Sequence, residues 1–291
     1  MPRRMFITVL LLYSVMLSAQ TAPPPAGSGV VLSHTTQSNL SLSQQQVNDW
    51  KEGDKTVLDL KSSFRITSQL SSSFFTLNAS VGGKLGITRD NSIDTIHVWY
   101  KTTDNDLNGE AKLTFPLGFA VDPFISASFK TQITESQRLV KSFIQRTANL
   151  WDPVTSDQSM GFTYRLSDKS GFMSLRSGVA LQQIRAAEST TLTDNPKTPK
   201  IQELYKATAG MECVVESQYK IDSLVSFTGK WNARKNIITD DAWQLTFENE
   251  FRIKIWKYVG IVVTANLRYD EAVSKRVQFK QSTMFGFLFD L

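Results

Sequence analysis

Residues 243–255 read WQLTFENEFRIKI, and apolar and polar side chains alternate along them with Asn249 as the exception. Successive side chains of a β-strand point to opposite faces, so a period of two predicts a strand with one apolar and one charged face. The segment 258–271 repeats the pattern directly afterwards. Both segments exceed ten residues, whereas strands of soluble proteins usually have about five or six.

The same alternation recurs along the chain and predicts twelve strands, with ten or fourteen as the alternatives. In the fourth strand, residues 96–100 are out of phase with residues 111–115, which indicates a bulge or a break between them. The predicted bounds are 39–48, 55–70, 73–88, 95–117, 121–134, 157–166, 171–185, 203–219, 222–233, 240–256, 258–271 and 276–291.

Two all-β architectures produce alternating strands. A secreted β-sandwich has short strands whose apolar faces pack on each other. An outer-membrane barrel has long strands with an apolar outside, a polar inside, and long loops at one end only. Connections 135–156 and 186–202 are long, while Ser167-Asp168-Lys169-Ser170 is a tight turn. We therefore predict an all-β transmembrane antiparallel barrel of about twelve strands with both termini in the periplasm.

The N-terminal residues predict export. Arg3 and Arg4 precede an uncharged apolar run from Met5 to Leu17, and small residues follow it, which is the pattern of a secretory signal peptide. We expect a signal peptide over 1–19, a flexible periplasmic linker over 20–37 and the barrel over 38–291. The expected location is the outer membrane of a Gram-negative bacterium.

Composition excludes several classes of function. The 32 basic and 27 acidic residues give a formal charge of +5, without the dense basic stripe of a nucleic-acid-binding protein. One cysteine, Cys213, excludes a disulfide scaffold and a cysteine-based zinc site. Only two histidines occur, His34 before the first predicted strand and His97 near a predicted loop. We expect no cofactor, no metal site and no enzymatic activity.

The predicted inner face is rich in charged residues. It contains fourteen basic positions: Lys61, Arg65, Lys84, Lys112, Lys130, Arg165, Arg176, Lys206, Lys230, Arg252, Lys254, Arg268, Arg276 and Lys280. It contains seven acidic positions: Asp59, Glu110, Glu212, Glu216, Glu248, Glu250 and Asp270. A basic excess favours a channel for anions, whereas paired charges would fill the lumen. Twelve strands do not decide between the two, because the interior is packed at eight strands and open at sixteen.

Aromatic residues are predicted to form two girdles, because amphipathic rings favour membrane–water interfaces. One girdle, at the extracellular strand ends, contains Trp231, Trp243 and Tyr269. The other, at the periplasmic ends, contains Tyr219, Trp256, Tyr258 and Phe289.

The C-terminal segment alternates aromatic and apolar residues up to the last position. It contains Phe285, Phe287, Phe289 and Leu291. This arrangement resembles the C-terminal targeting strand that the outer-membrane assembly machinery reads, although Leu291 stands where phenylalanine is usual.

Several short motifs resemble an uncharacterised, domain-of-unknown-function family of outer-membrane barrels from Bacteroidota-type bacteria. Trp50-Lys51-Glu52-Gly53 is similar to the family's Trp-x-x-Gly-Gly opening, with Asp54 in place of the second glycine. The other motifs are Leu150-Trp151-Asp152-Pro153, Gln158 to Tyr164, Leu267 to Asp270 and Ser274 to Gln281. The resemblance implies an integral outer-membrane barrel and no particular activity.

Two functions are consistent with these observations. The first is a narrow porin-like channel for small, anionic solutes. The alternative is a non-conducting structural or accessory barrel in a larger outer-membrane assembly. The expected partners are outer-membrane lipid, the assembly machinery and other outer-membrane proteins, and no nucleic acid.

Overall fold

The computed structural model describes residues 30–48, 55–88, 101–140, 143–187, 193–194, 202–237, 243–270 and 274–290. These contain fourteen strands. They are β1 (Val31–Asn48), β2 (Lys55–Ser71), β3 (Thr76–Thr88), β4 (Lys101–Thr114), β5 (Asp122–Thr131), β6 (Ser136–Val140), β7 (Phe143–Ala148), β8 (Val154–Ser167), β9 (Gly171–Arg185), β10 (Tyr205–Lys220), β11 (Val225–Asn236), β12 (Gln244–Lys254), β13 (Val259–Asp270) and β14 (Ser274–Asp290).

Twelve of these strands form a closed antiparallel barrel in the order β1-β14-β13-β12-β11-β10-β9-β8-β5-β4-β3-β2. β1 and β14 close it, with a register that runs from Gln37 opposite Asp290 to Asn48 opposite Phe279. β6 and β7 form a separate two-stranded hairpin between β5 and β8. The predicted all-β antiparallel barrel and its predicted twelve strands are therefore confirmed, whereas the periplasmic location of both termini stays a prediction. No helix among the described residues is long and apolar enough to cross a membrane.

The two ends of the barrel differ. Connections 72–75, 115–121, 168–170, 221–224 and 255–258 are short and lie at one end, which we call the turn end. The opposite end, which we call the loop end, carries the longer connections 132–153 and 186–204. The first residue of β1, Val31, and the last residue of β14, Asp290, both lie at the turn end.

The alternation of the sequence separates the two faces of the wall. On β1 and β2, Leu40, Leu42, Leu58 and Leu60 are exposed on the outside. The residues between them, including Ser41, Ser43, Asp59 and Lys61, are buried inside. Of the described residues, the largest fully buried apolar ones also lie within the lumen, on β5, β10 and β13: Phe124, Val214 and Val262.

The predicted start of the first strand was wrong. β1 begins at Val31, whereas the sequence pattern placed its start at residue 39 and a flexible linker over 20–37. His34, expected before the first strand, lies within β1, and its Nδ1 is 2.8 Å from Ser68 Oγ. Residues 33–38 are Ser, His, Thr and Gln, so they lack apolar alternation, yet their backbone continues the ladder with β2.

The strand pairing is irregular in β4, and a short hairpin lies outside the barrel. A bulge or break was predicted in the fourth strand, and the register between β3 and β4 shifts at Gly86/Ile87, opposite Thr103. The hairpin β6–β7 lies in a segment predicted to be loop, because its strands of five and six residues are too short for a clear period.

The base of that hairpin is attached to β4 by one side chain. Asn105 Oδ1 accepts hydrogen bonds from the backbone N–H groups of Ile133 and Thr134, both at 2.9 Å. Asn105 Nδ2 donates to the Thr134 carbonyl at 2.6 Å and to Gln132 Oε1 at 3.0 Å.

Adjacent residues on β13 provide a test of the two faces. Val263 points outward and Thr264 points into the lumen, opposite Glu250 in the register of β12 and β13. Val263→Arg should reduce the free energy of unfolding in lipid by about 2–4 kcal/mol, the cost of arginine at the bilayer midplane. Thr264→Arg should be much milder, since the guanidinium faces Glu250. The measurement is urea unfolding in lipid vesicles, and equal losses for the two variants would contradict the assignment of faces.

Candidate functional site: the charged lumen

The inward strand faces bring most of the predicted lumen charges into contact. Among the described residues, at least nine of the fourteen predicted basic side chains lie within 4.0 Å of a carboxylate oxygen: Lys61, Lys112, Lys130, Arg176, Lys230, Arg252, Lys254, Arg268 and Lys280. The lumen therefore contains a network of ion pairs.

Five of these charged residues form what we call the lumen cluster: Glu110 and Lys112 on β4, Arg176 on β9, Glu216 on β10 and Lys230 on β11. Arg176 Nη1 donates to Glu110 Oε1 at 2.8 Å, and Lys230 Nζ donates to Glu110 Oε2 at 3.1 Å. Glu216 lies 3.4 Å from Lys230, 3.6 Å from Lys112 and 3.8 Å from Arg176. Each carboxylate thus contacts more than one cation.

The lumen cluster crosses the barrel. β4 and β11 are five positions apart in the ring of twelve strands, where the largest possible separation is six. The Glu110–Lys230 ion pair therefore joins nearly opposite walls. Glu110 and Glu216 lie four residues before the turn ends of their strands, and Arg176 and Lys230 lie five residues after theirs. The cluster narrows the lumen at one level in the turn-end half.

A second group of charges lies nearer the loop end. Asp104 on β4 contacts Lys61 on β2 at 2.6 Å and Lys280 on β14 at 2.8 Å. Asp59 is fully buried beside them, 3.9 Å from Lys61 Nζ. Two cations here face two carboxylates, so this level carries no net charge.

The remaining predicted charges lie along the wall. Arg252 contacts Glu250 at 2.6 Å, and Arg268 contacts Asp270 at 3.1 Å. Lys254 lies 2.8 Å from Asp290 and Lys130 lies 3.1 Å from Asp106. Arg65 and Lys84 lie near enough to Glu250 to interact with its charge, and Glu248 lies in the same way near Lys130. The Arg165 guanidinium lies 4.3 Å from the Phe172 ring centre. Glu212 is buried, and Lys206 and Arg276 are exposed.

Sequence reasoning missed several lumen charges that form ion pairs. They are Asp104, Asp106, Asp157, Asp290 and Arg234, the last of which donates to Asp157 at 2.6 Å. Arg234 lies one residue beyond the predicted end of its strand, and Asp104 and Asp106 lie in the strand with the irregular phase. With these residues the basic excess falls from seven to four, with fifteen basic against eleven acidic side chains.

The predicted aromatic girdles need one correction. Trp243 and Tyr269 lie at loop ends of their strands, and Tyr219, Trp256 and Tyr258 lie at turn ends. Trp231 was wrongly placed with the first group, because β11 extends to Asn236 and leaves it near mid-strand. Its Nε1 donates to Asn249 Oδ1 at 3.0 Å, so it has a polar partner on the outer wall.

The C-terminal strand continues to Asp290 as part of β14. Phe285 and Phe287 are exposed on the outside, and the Phe289 ring packs 5.6 Å from the ring of Tyr258. Leu291 lies outside the described residues, as do His97 and the Trp50 motif. Among the described residues, no group of His, Cys, Asp and Glu is arranged to hold a metal ion.

Comparison with known proteins returns outer-membrane barrels. No family model and no curated protein matches the chain, so the resemblance to the uncharacterised barrel family stays a prediction. The translocator domain of the autotransporter NalP from Neisseria meningitidis matches with 10% identity and a TM-score of 0.41, over 98% of this chain and 95% of that one. The COG4313 outer membrane channel from Pseudomonas putida F1 matches with 11% identity and a TM-score of 0.38, over 92% and 100%. Similarity at this level concerns the barrel fold and carries no argument about activity.

The prediction that the chain is not an enzyme was wrong as an exclusion. OmpT, an outer membrane protein of Vibrio cholerae, matches with 7% identity and a TM-score of 0.37, over 92% of this chain and all of that one. A small number of histidines does not by itself exclude enzymatic activity, and fold similarity at this level is no positive evidence for a reaction.

Glu110 should contribute more to stability than Asp106, a carboxylate whose ion pair is more exposed to solvent. Glu110→Gln removes a charge that contacts both Arg176 and Lys230, and we expect a loss of about 1–3 kcal/mol in unfolding free energy. Asp106→Asn is the matched control, because its partner Lys130 has a side chain that is 64% exposed. An exposed pair contributes about 0–1 kcal/mol. Urea unfolding in vesicles measures both, and a larger loss for Asp106→Asn would contradict this ranking.

Proposed function

We propose that the chain is a narrow outer-membrane channel for small solutes, with the lumen cluster as its constriction. The observation that carries the proposal is the Glu110–Lys230 ion pair, 3.1 Å long, between nearly opposite walls of a closed barrel. Interior charged rings and constrictions are the features by which channels select among solutes. A twelve-stranded barrel is intermediate between packed eight-stranded and open sixteen-stranded barrels, which fits a narrow pore.

Solvent reaches charged side chains on both sides of the constriction. Lys130, towards the loop end, has a side chain that is 64% exposed, and Lys254, at the turn end, is 44% exposed. Between them, the Arg176 side chain is 8% exposed. In the same layer, Lys230 is 39% exposed and Glu110 is 25% exposed. Two solvent-exposed vestibules separated by a partly exposed ionic layer are the arrangement expected of a narrow channel.

The charge of the constriction favours anions. Lys112, Arg176 and Lys230 outnumber Glu110 and Glu216 by one. In a narrow and partly desolvated lumen, such a charge is screened less than on an open surface. Small anionic solutes are therefore the preferred class, although the excess is smaller than the sequence alone indicated.

A second candidate function is a non-conducting accessory barrel in a larger outer-membrane assembly. The apolar residues Phe124, Val214 and Val262, each at most 1% exposed within the lumen, favour it. Buried apolar side chains of this kind fill part of the lumen.

The cellular setting belongs to the same proposal. Residues 1–19 would direct export, and the alternation of Phe285, Phe287, Phe289 and Leu291 would be read by the assembly machinery. The turn end would then face the periplasm, since outer-membrane barrels have short periplasmic turns and long extracellular loops. The support is the sequence pattern and the asymmetry between the two ends.

Removing both partners of the cross-lumen pair should widen the channel. In planar lipid bilayers, the unmodified protein should give small, reproducible conductance steps. Glu110→Ala combined with Lys230→Ala removes two long side chains without a change in net charge, so its steps should be larger. Silence from both correctly folded proteins would reject the channel and favour the accessory barrel.

Reversing one charge at the constriction should reverse the ion preference. Lys230→Glu changes the net charge of the lumen cluster from plus one to minus one. The reversal potential under a salt gradient should then change sign from chloride preference to potassium preference. Lys235→Glu is the matched control, because Lys235 lies on the outside, 5.9 Å from the Trp243 ring centre. A shift of equal size in the control would contradict a selectivity set within the lumen.

A further inference from the structure

The outer face of β14 has polar residues at its centre. Gln281 lies seven residues after Ser274 and Thr283 lies seven residues before Asp290, and both are exposed. Apolar outward residues flank them along the strand, with Val277 and Phe279 towards the loop end and Phe285 and Phe287 towards the turn end. The polar pair therefore lies in the middle of the apolar band.

The neighbouring strand extends this polar area. In the register of β1 and β14, Gln44 lies opposite Thr283 and Gln46 lies opposite Gln281. Both glutamines are exposed on the outside. Directly opposite side chains on antiparallel strands have Cβ atoms about 4.5–5.5 Å apart. The four residues thus form one continuous area across the closure of the barrel, which we call the seam patch.

An exposed carboxamide is costly in the hydrocarbon region, because no water is present to form hydrogen bonds with it. The outward Asn249 on β12 avoids this cost, since its Oδ1 accepts a hydrogen bond from Trp231 Nε1 at 3.0 Å. The seam patch places three carboxamides and a hydroxyl outward within two adjacent rows. That concentration indicates a surface that another protein covers.

We propose that the seam patch is the contact between two copies of this chain within the membrane. A carboxamide carries both a donor and an acceptor, so it is complementary to a second carboxamide. Two barrels inserted in the same direction are related by a two-fold axis along the membrane normal, and such an interface places identical patches at the same depth. Gln44 and Gln281 of one copy then meet the same residues of the other.

The residues around the seam patch are compatible with a second copy of the chain. Ala265 on β13 lies opposite Gln281, and small residues allow close approach of packed elements in membranes. The four residues of the seam patch are uncharged, so a second copy buries no unpaired charge. Phe279 and Phe285, which lie on either side of Gln281 and Thr283 along β14, would form an apolar border.

Cysteine cross-linking of the full chain in outer membranes tests the contact. Gln281→Cys in a Cys213→Ser background should give a disulfide-linked dimer on mild oxidation, and Gln44→Cys is the second variant if the first does not fold. The unmodified chain is the matched control, because Cys213 lies mid-strand on β10, five positions around the ring from β1. It should give no disulfide-linked dimer.

Replacement of the amides distinguishes specific pairing from simple proximity. Gln44→Leu combined with Gln281→Leu should lower the dimer association constant in lipid about tenfold, as expected for the loss of two hydrogen bonds between the barrels within the membrane. Resistance of the unheated barrel to SDS establishes that each variant is folded. The proposal would be overturned if neither Gln281→Cys nor Gln44→Cys gave a disulfide-linked dimer, if Cys213 cross-linked equally well, or if the cross-linked partner were a different protein. An unchanged association constant in the double leucine variant would also overturn it.

Discussion

Backbone hydrogen bonding between β1 and β14 is the constraint on which the rest of the structure depends. A barrel in a membrane has no water to satisfy an open sheet edge, so the first and last strands must pair along their length. The register from Gln37–Asp290 to Asn48–Phe279 does this. It also fixes which side chains face inward on both strands, since the side-chain period is two. The position of Lys280 beside Asp104 and that of the seam patch both follow from this single register.

Strands with a strong alternation could be predicted from the sequence to within one to four residues at each end. β13 was predicted as 258–271 and is Val259–Asp270, and β12 was predicted as 240–256 and is Gln244–Lys254. The early part of β1 was missed because its residues are uniformly polar and its pairing is carried by the backbone. The hairpin β6–β7 was missed because a short element outside the barrel has no apolar face to produce a period.

The sequence predicts which side chains point into the lumen, but it does not predict which of them contact one another. The period of two placed Glu110 and Lys230 inward, yet these residues are 120 positions apart in sequence and meet across the barrel. Their contact depends on how the ring closes and how wide it is, which local alternation does not contain. Asp290 shows the same limit. It neutralises Lys254, and it was absent from the acidic residues that the sequence placed in the lumen.

The attachment of the β6–β7 hairpin through Asn105 has a consequence for how the molecule opens. Barrel strands are paired on both sides, so none can detach without breaking two ladders, and the ring responds as one cooperative unit. The hairpin has its own ladder and is attached through the Asn105 side chain at its base, and isolated two-stranded hairpins are marginally stable in water. Local opening of this kind has a low free energy compared with global unfolding. The loop end therefore carries an element whose amide protons exchange on their own time scale, with Asn105 as the boundary between the two regimes.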